Sequence, residues 1–231
     1  MKSPVPLLAI DTSGAACSLA LCDTQGQVWT HHQAAERQQA KSLVPQIHAL
    51  LEQAHMPLQA LQGIAFGAGP GSFTGLRIAC MCAQSLAWAL HIPVYPISTL
   101  EAYAWQTYQS TYARYLAVAL DARMGEVYWG LYQIQEHSLQ TLVPAQVCPP
   151  DQVQWPQAYQ DQDWVGVGSG WQNAQAFSPW IQGQMQQLYP DADLKAQAIL
   201  ALAEQAWARG EGMAAAQAQP FYIRDQVTHR S

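Results

Sequence analysis

The sequence predicts an α/β protein built from two copies of one arrangement of strands and helices. Near the start of the chain, short apolar runs separated by polar turns indicate a β-meander, and alternating helical and strand patterns follow it. A second meander begins near residue 115 and repeats the first. In each copy an aspartate, Asp11 or Asp121, ends the first apolar run and precedes a turn. These observations favour a duplicated fold with a mixed sheet in each half.

The elements of the first half follow in order from its apolar pattern. Strands are predicted at 7–10, 16–21, 28–30 and 64–66, and apolar residues at helical spacing predict an amphipathic helix over 43–54. Pro45 lies either in the first turn of that helix or inside a helix that begins earlier. A helix from the glycine-rich loop to about Leu90 and a strand at 94–97 come next. Ser98 or Thr99, with Glu101 following, opens another helix as an N-cap.

The second half predicts strands at 115–120, 126–132 and 139–147, and a strand from Trp164 that enters a second glycine turn at 166–170. A helix over 194–209 ends at Gly210. The alanine and glutamine run at 214–219 is predicted to be a linker to a tail at 220–225. The expected division is an N-terminal lobe over 1–110 and a smaller C-terminal lobe over 111–231.

The loop from Gly67 to Arg77 crowds four glycines and a proline between a strand and a helix. Such a loop lets another backbone or a ligand approach a helix N-terminus, as phosphate-binding loops do. Its last glycine, Gly75, is followed by Leu76 and Arg77 instead of Lys and Ser or Thr, so a Walker-type site is not supported. A tight strand-to-helix turn is the alternative interpretation.

Composition restricts the classes of function. The net charge is −6, and the ten Lys and Arg residues are dispersed and form no basic stripe. We therefore expect no strong binding of this chain to RNA or DNA. The five cysteines form no CxxC pair, which favours reduced thiols over disulfides or zinc. The longest apolar candidate, 78–90, is too short for a membrane span, so we expect a cytoplasmic protein with no membrane association.

Five motifs, in order, together resemble the TsaB family, also called YeaZ. They are Ala9–Ser13, Gly69–Arg77, Ser98–Glu101, Asp121–Tyr128 and Tyr222–Asp225. The resemblance spans nearly the whole chain and implies the actin-like fold of sugar kinases and Hsp70, with two duplicated α/β lobes. It also implies a scaffold subunit for threonylcarbamoyladenosine synthesis on tRNA, a non-catalytic paralogue of TsaD that pairs with TsaD and recruits the ATPase TsaE. ATP or ADP is expected only at the partner interface, and a homodimer is expected to be possible in isolation.

The side chains that could carry chemistry are few. TsaD-like enzymes hold a metal through a His-x-x-x-His pair, and none of the seven histidines here has that spacing, so no metal site and no catalytic residue is expected. Asp11, with Thr12, Ser13 and Gly71, is the candidate for contacting a nucleotide or phosphate. The alternative is that Asp11 only caps its turn.

The helix after the glycine loop is the candidate partner interface. One face is predicted to be a core seam that includes Phe73 and the small residues Ala83 and Ala87. The other face is unusual for a solvent-exposed helix because it carries residue types that are common at interfaces. Its predicted interface residues are Arg77, Met81, Gln84, Ser85 and Trp88, with the 43–54 helix beside them and with Ala79, Ala83 and Ala87 allowing close approach. The alternative is that a neighbouring helix of the same lobe covers this face.

Two other functions compete with the scaffold interpretation. An actin-fold phosphotransferase acting on a small molecule would need Asp11 and a catalytic base, for which Asp121 is the only candidate. A metallopeptidase would need ligands that the sequence does not supply. Arg77 and Arg123 are candidates for contacting a nucleotide or a partner carboxylate, or for tethering their own loops.

Overall fold

The computed structural model describes residues 4–34, 39–160 and 162–223. The chain divides into two compact units, one formed by Met1–Ala102 with Asp193–Phe221, and the other centred on Tyr103–Ala192. The expected split into 1–110 and 111–231 differs from this division chiefly because residues 193–221 belong with the first unit. The helix in that segment packs on the sheet of the first unit.

The first unit contains a five-stranded mixed sheet in the order β3-β2-β1-β4-β5. Its strands are β1 (Leu7–Asp11), β2 (Ala16–Cys22), β3 (Val28–Ala34), β4 (Gly63–Gly69) and β5 (Val94–Ser98). The first three form the predicted antiparallel meander, and β4 and β5 add in parallel. The strands are short and β1, β2 and β4 are buried on both faces, because helices cover the sheet from two sides.

The helices of this unit are α1 (Gln39–Gln53), α2 (Phe73–Leu90) and the later α5 (Ala196–Arg209), while α3 (Thr99–Thr111) leads out of the unit. Leu8 and Ile10 point from β1 into the core shared with α1 and α2. α5 contacts β1, β2, β4 and β5, and its buried face includes Ile199. Pro45 lies inside α1, so the alternative in which this helix begins earlier is the observed one.

The second unit repeats the topology of the first. Its sheet has the order β10-β9-β6-β7-β8, with β6 (Tyr115–Arg123), β7 (Glu126–Gln135), β8 (Ser138–Cys148), β9 (Trp164–Val167) and β10 (Met185–Tyr189), and α4 (Pro179–Gln184) precedes β10. The first three strands are antiparallel and the next two parallel, as in the first unit. The predicted duplication is confirmed strand by strand. Neither α4 nor β10 was predicted, because both are short and their apolar residues show no clear period.

The sequence expectation of a linker near the C-terminus is wrong. Residues 214–219 are not a free linker, because Ala215 and Ala218 are 7% and 1% exposed and pack into the core of α1 and α2. α2 begins at Phe73, five residues before the predicted apolar stretch, so its 18 residues reach, by length and a mean hydropathy of 1.2, the lower limit for a membrane span. Composition is weak evidence of a span, since the sheet-facing residues of α2 are core residues of this unit.

Candidate functional site

The turn after β1 is buried against the start of α2. The backbone N–H of Ser13 donates to Oδ1 of Asp11 at 3.3 Å, which is the local geometry that aspartate adopts when it caps a turn. The hydroxyl of Thr12 donates to the carbonyl of Gly75 at 2.6 Å, and the N–H of Ser72 donates to the carbonyl of Ser13 at 2.8 Å. Asp11, Thr12 and Ser13 are 2%, 0% and 7% exposed. These bonds attach the turn directly to the first turn of α2.

Two glycines permit this close approach. A Cβ on Gly75 would lie 1.8 Å from the carbonyl oxygen of Thr12, and a Cβ on Gly71 would lie 2.7 Å from that of Ser13. The backbone of the Asp11 turn therefore occupies the space in front of both glycines. At these two positions the glycine-rich loop accommodates its own chain, as the tight-turn interpretation requires.

Burial controls the charge state of Asp11. It raises the pKa of this carboxyl to about 6, against the lowering effect of the hydrogen bonds from Ser13. Asp193 adds a smaller raising effect and His32 a smaller lowering one, and these two side chains are paired at 2.8 Å. Oδ1 of Asp11 lies so close to β4 that a Cβ on Gly67 would be 2.2 Å from it. The carboxyl is thus enclosed by the sheet of its own unit.

The described residues contain no group of three or more His, Cys, Asp or Glu side chains that could hold a metal ion. His31 and His32 are adjacent on β3 but differ in surroundings, since Nε2 of His31 is buried and unpartnered whereas His32 bonds Asp193. The five cysteines are unpaired, and burial raises the pKa of each thiol, that of Cys17 to about 11. Raised thiol pKa values disfavour the nucleophilic thiolate.

The matching turn in the second unit is built in the same way but is open to solvent. The N–H of Arg123 donates to Oδ1 of Asp121 at 2.8 Å, and the guanidinium of Arg123 pairs with Oδ2 at 3.2 Å. The hydroxyl of Ser169, from the second glycine turn, accepts from the N–H of Asp121 at 3.0 Å. Asp121 and Arg123 have side chains that are 43% and 87% exposed. Arg123 is therefore tethered to its own loop.

The outer face of α2 exposes large apolar side chains. Met81 and Trp88 are 65% and 69% exposed, and Arg77 and Ser85 are exposed beside them. Phe73, predicted in the core seam, is 56% exposed instead, because it is the first helical residue and Leu76 is the first to reach the sheet.

Two contacts within this helix involve side chains of the exposed face. The guanidinium carbon of Arg77 lies 3.8 Å from the centre of the Phe73 ring, a cation–π contact. The hydroxyl of Ser85 donates to the carbonyl of Met81 at 2.8 Å within the helix. We call the set Phe73, Arg77, Met81, Ser85 and Trp88 the α2 surface. Ala83 and Ala87 are buried, as the core seam predicted, and Ala79 is buried with them. These three residues face the sheet and therefore cannot admit a partner helix, which was the other expectation for them.

Gln84 attaches a C-terminal segment to the edge of the α2 surface. Its side-chain amide donates to the carbonyl of Ala215 at 3.2 Å and to that of Ala218 at 2.9 Å. The same segment pairs with β5 through Met213 and Val94. We call residues 212–218 the strap.

Trp88 lies between two clefts that the strap helps to form. One cleft, of about 440 Å³, is lined by Gln84, Ser85, Trp88, Ala215 and Ala216, and the other, of about 410 Å³, by Trp88, His91 and residues 212–215 among others. Sequence reasoning missed the strap, because an alanine and glutamine run lacks a hydrophobic period. The only signal was the spacing of Ala215 and Ala218, which lie three residues apart.

Comparison with known families gives one result over most of the chain. A family model described as TsaD, tRNA N6-adenosine threonylcarbamoyltransferase, matches residues 30–230. The tRNA threonylcarbamoyladenosine biosynthesis protein TsaB of Escherichia coli is 34% identical over 225 residues, which cover 96% of this chain and 95% of the relative. TsaB of Haemophilus influenzae is 32% identical, with 96% of this chain and 94% of the relative covered.

Solved structures give the same picture. YeaZ from Pseudomonas aeruginosa superposes with a TM-score of 0.88 and 41% identity over 94% of this chain and 99% of the other. A second structure from P. aeruginosa, described as an uncharacterized protein with similarity to peptidase YEAZ, has a TM-score of 0.90 and 41% identity, with 95% and 100% covered. The structural likeness thus extends over both units.

Proposed function

Because this chain belongs to the TsaB family, also called YeaZ, of tRNA threonylcarbamoyladenosine biosynthesis proteins, we propose that it is a non-catalytic subunit that pairs with TsaD through the α2 surface. In this proposal the pair recruits TsaE and modifies the tRNA adenosine next to the anticodon. The complex works in the cytoplasm, any ATP or ADP binds at the partner interface, and the isolated chain can pair with itself through the same surface.

The exposed apolar face of α2 is the observation that carries the proposal. Three of its side chains, Phe73, Met81 and Trp88, are each more than half exposed, in a helix whose opposite face is fully used by the core. If a partner covered these side chains, each Å² of apolar surface removed from water would contribute about 25 cal/mol to the free energy of binding. Aromatic residues, Met and Arg are also the types enriched where proteins bind one another.

The charge pattern of α2 indicates which side chains a complementary surface on the partner carries. Arg77 is the only charged residue between Phe73 and Leu90, and its guanidinium is held over the Phe73 ring. A matching face supplies one carboxylate near Arg77 and apolar side chains opposite Met81 and Trp88. The clefts on either side of Trp88 accept side chains of the partner, so the strap belongs to the same surface.

A role without chemistry of its own is supported by the turn at Asp11. The backbone of Thr12 and Ser13 fills the space before Gly71 and Gly75, where a phosphate-binding loop holds its ligand. The carboxyl of Asp11 is enclosed against β4 and is already engaged by Ser13. Both features favour a structural use of these residues.

The test is complex formation with the TsaD protein of the same organism, measured by size exclusion with light scattering, with and without ATP and TsaE. Trp88→Glu places a charge at the end of the α2 surface, between the two clefts, and should weaken the complex at least tenfold. Trp180→Glu is the matched control, since Trp180 is 43% exposed in the second unit and should leave the complex intact.

Three results would overturn the proposal. The first is that TsaD and this chain elute separately under every condition. The second is that Trp88→Glu binds as well as the unchanged protein. The third is ATP hydrolysis by this chain alone together with no complex, which would favour the independent phosphotransferase.

A further inference from the structure

One edge of the second unit carries a stack of aromatic side chains that the proposed pairing with TsaD does not use. Trp105 and Tyr108 lie one turn apart on α3, with ring centres separated by 5.6 Å, and Tyr112 follows Tyr108 at 6.3 Å with its ring edge-on. Trp105 is 7% exposed and Tyr112 is 79% exposed. The stack therefore runs from the core of the unit to its surface.

The turn between β7 and β8 adds an imidazole to this stack. The ring of His137 lies 6.4 Å from that of Tyr108, and Nδ1 of His137 is 3.1 Å from the Tyr108 hydroxyl. Close to this turn, the N–H of Ile134 donates to the backbone carbonyl of Arg114 at 2.8 Å. We call Tyr108, Tyr112 and His137 the aromatic platform.

Backbone geometry does not explain why a tyrosine stands at position 112. Tyr112 has φ of 60°, in the left-handed region where glycine, asparagine, aspartate or histidine is favoured. Placing a bulky side chain in the left-handed conformation destabilises the fold by about 1 kcal/mol. The Tyr112 ring is mostly exposed, so its burial offsets little of that free energy. The Tyr112 ring therefore serves something other than the turn that carries it.

The surroundings of the platform identify the class of ligand. The sequence neighbours of Tyr112 and His137 that are exposed are polar, namely Gln109, Ser110, Arg114, Gln135, Glu136 and Ser138. A protein partner needs a continuous apolar area, which these neighbours do not offer. Flat π-faces next to exposed amide and hydroxyl side chains fit an unpaired nucleobase, which stacks on aromatic rings and forms hydrogen bonds at its edge.

We propose that the aromatic platform stacks an unpaired base of the RNA on which the complex acts. This inference rests on the proposed function, since that function brings an RNA to the protein. The carboxylate of Glu136 and the net charge of −6 oppose a longer phosphate track. The platform therefore supplies a single weak contact that matters within the complex, where other subunits hold the RNA.

The experiment uses an unmodified tRNA transcript as the probe, with the complex of this chain and TsaD, and measures the dissociation constant by filter binding. Tyr112→Gly removes the ring and suits the left-handed backbone, so the variant should fold with an unchanged or higher melting temperature while tRNA binds about tenfold more weakly. Tyr112→Phe keeps the ring and should retain the affinity. His55→Gly is the matched control, because His55 is exposed with φ of 50° in the first unit and should bind tRNA normally.

Cross-linking by ultraviolet light identifies the contact directly. We expect the tRNA to cross-link to a peptide that contains Tyr108 and Tyr112 or to one that contains His137, both in the complex and weakly in this chain alone. Equal tRNA affinity for Tyr112→Gly and the unchanged protein would overturn the inference. So would retention of affinity by Tyr112→Leu, which keeps apolar contact but no π-face.

Failure of this inference and failure of the proposed function give different results. Tyr112→Gly should leave TsaD in the complex, since the platform is outside the α2 surface. If Tyr112→Gly instead lost TsaD, the platform would be a protein-docking site and the RNA assignment would be wrong. If this chain did not bind TsaD at all, cross-linking of the isolated chain to the transcript would still decide the assignment.

Discussion

At the scale of single residues, the glycine-rich loop is explained by distances between backbone atoms. The sequence predicts a loop in which backbone approaches closely, and the structure identifies the approaching group as the carbonyl of Thr12 or Ser13. No sequence pattern could distinguish this from a phosphate, because both require the same missing Cβ. The sequence likewise marks Asp11 as special, but only the structure shows that it is enclosed.

Gly75→Ala should destabilise the protein severely even though alanine favours helices. The added Cβ would lie 1.8 Å from the Thr12 carbonyl oxygen, so α2 must shift away from the Asp11 turn. We expect the free energy of unfolding to fall by about 3 kcal/mol or more, as for overpacking against a rigid backbone. Gly14→Ala in the same turn meets nothing within 4 Å and should change stability by less than about 0.5 kcal/mol. Urea unfolding measures both, and equal stability of the two variants would contradict the packing argument.

Asp11→Asn should remove a dependence of stability on pH. Burial raises the pKa of Asp11 from 3.8 to about 6, so the folded state binds this proton more tightly than the unfolded chain does. The Asp11 contribution therefore lowers stability as pH rises from about 4 to about 6. The penalty is complete above pH 6 and amounts to about 3 kcal/mol at most.

The side-chain amide oxygen that Asp11→Asn introduces can still accept from the N–H of Ser13, so the variant isolates the charge from the turn. Unfolding free energies of both proteins between pH 4 and pH 7.5 give the comparison. We expect the substitution to stabilise the protein most at the upper end of that range. If the difference in unfolding free energy between the two proteins did not vary with pH, the carboxyl of Asp11 would have its ordinary pKa in the folded protein.

At the scale of elements, the predicted strands and helices with a clear apolar period are all present, within a few residues at each end. The period fails where a short segment buries only a few small residues and is also held by hydrogen bonds, as in the strap. It also fails for Phe73, because spacing along a helix does not reveal which turn first meets the sheet. α2 itself was predictable as a two-faced helix, but the strap that borders its outer face was not.

Gln84→Ala should loosen the strap without unfolding the unit. The substitution removes two hydrogen bonds to backbone carbonyls, worth about 1 to 2 kcal/mol together. Hydrogen exchange should quicken at the amide of Met213, which donates to Val94, and at that of Phe221, which donates to Ala68.

Ser85→Ala is the control for this change, since the Ser85 hydroxyl bonds only within its own helix to Met81. It should leave exchange in the strap unaltered. If the strap also lines the partner site, Gln84→Ala should weaken TsaD binding and Ser85→Ala should do so less. Unchanged exchange in Gln84→Ala would mean that burial of Ala215 and Ala218 alone holds the strap.

At the scale of the whole molecule, the duplication was readable from the sequence and the domain boundary was not. Each copy begins with a meander whose first strand has an aspartate at or near its end. Each copy also has a glycine of positive φ where its fourth strand ends, Gly69 or Gly168. These local signals repeat and so can be recognised. α5 packs on β1 and β2, which are far from it in the sequence. No local pattern can therefore predict which unit α5 joins.

A fragment of residues 1–110 should therefore fail to fold by itself. It lacks α5, whose buried residues include Ile199, Leu200 and Ala203 and cover one face of the first sheet. Removing that cover exposes several hydrophobic side chains, each worth about 1.5 to 3 kcal/mol when buried, against a total stability of about 5 to 15 kcal/mol.

The matched protein joins residues 1–102 to 193–221 through a flexible linker of about ten Gly and Ser residues. It restores α5 and the strap, so it should unfold cooperatively in circular dichroism and retain the α2 surface for TsaD. Cooperative folding of 1–110 alone would show that α5 is dispensable to the first sheet. Failure of both fragments would show instead that the first unit requires the second, and that the chain folds as one body despite its two copies.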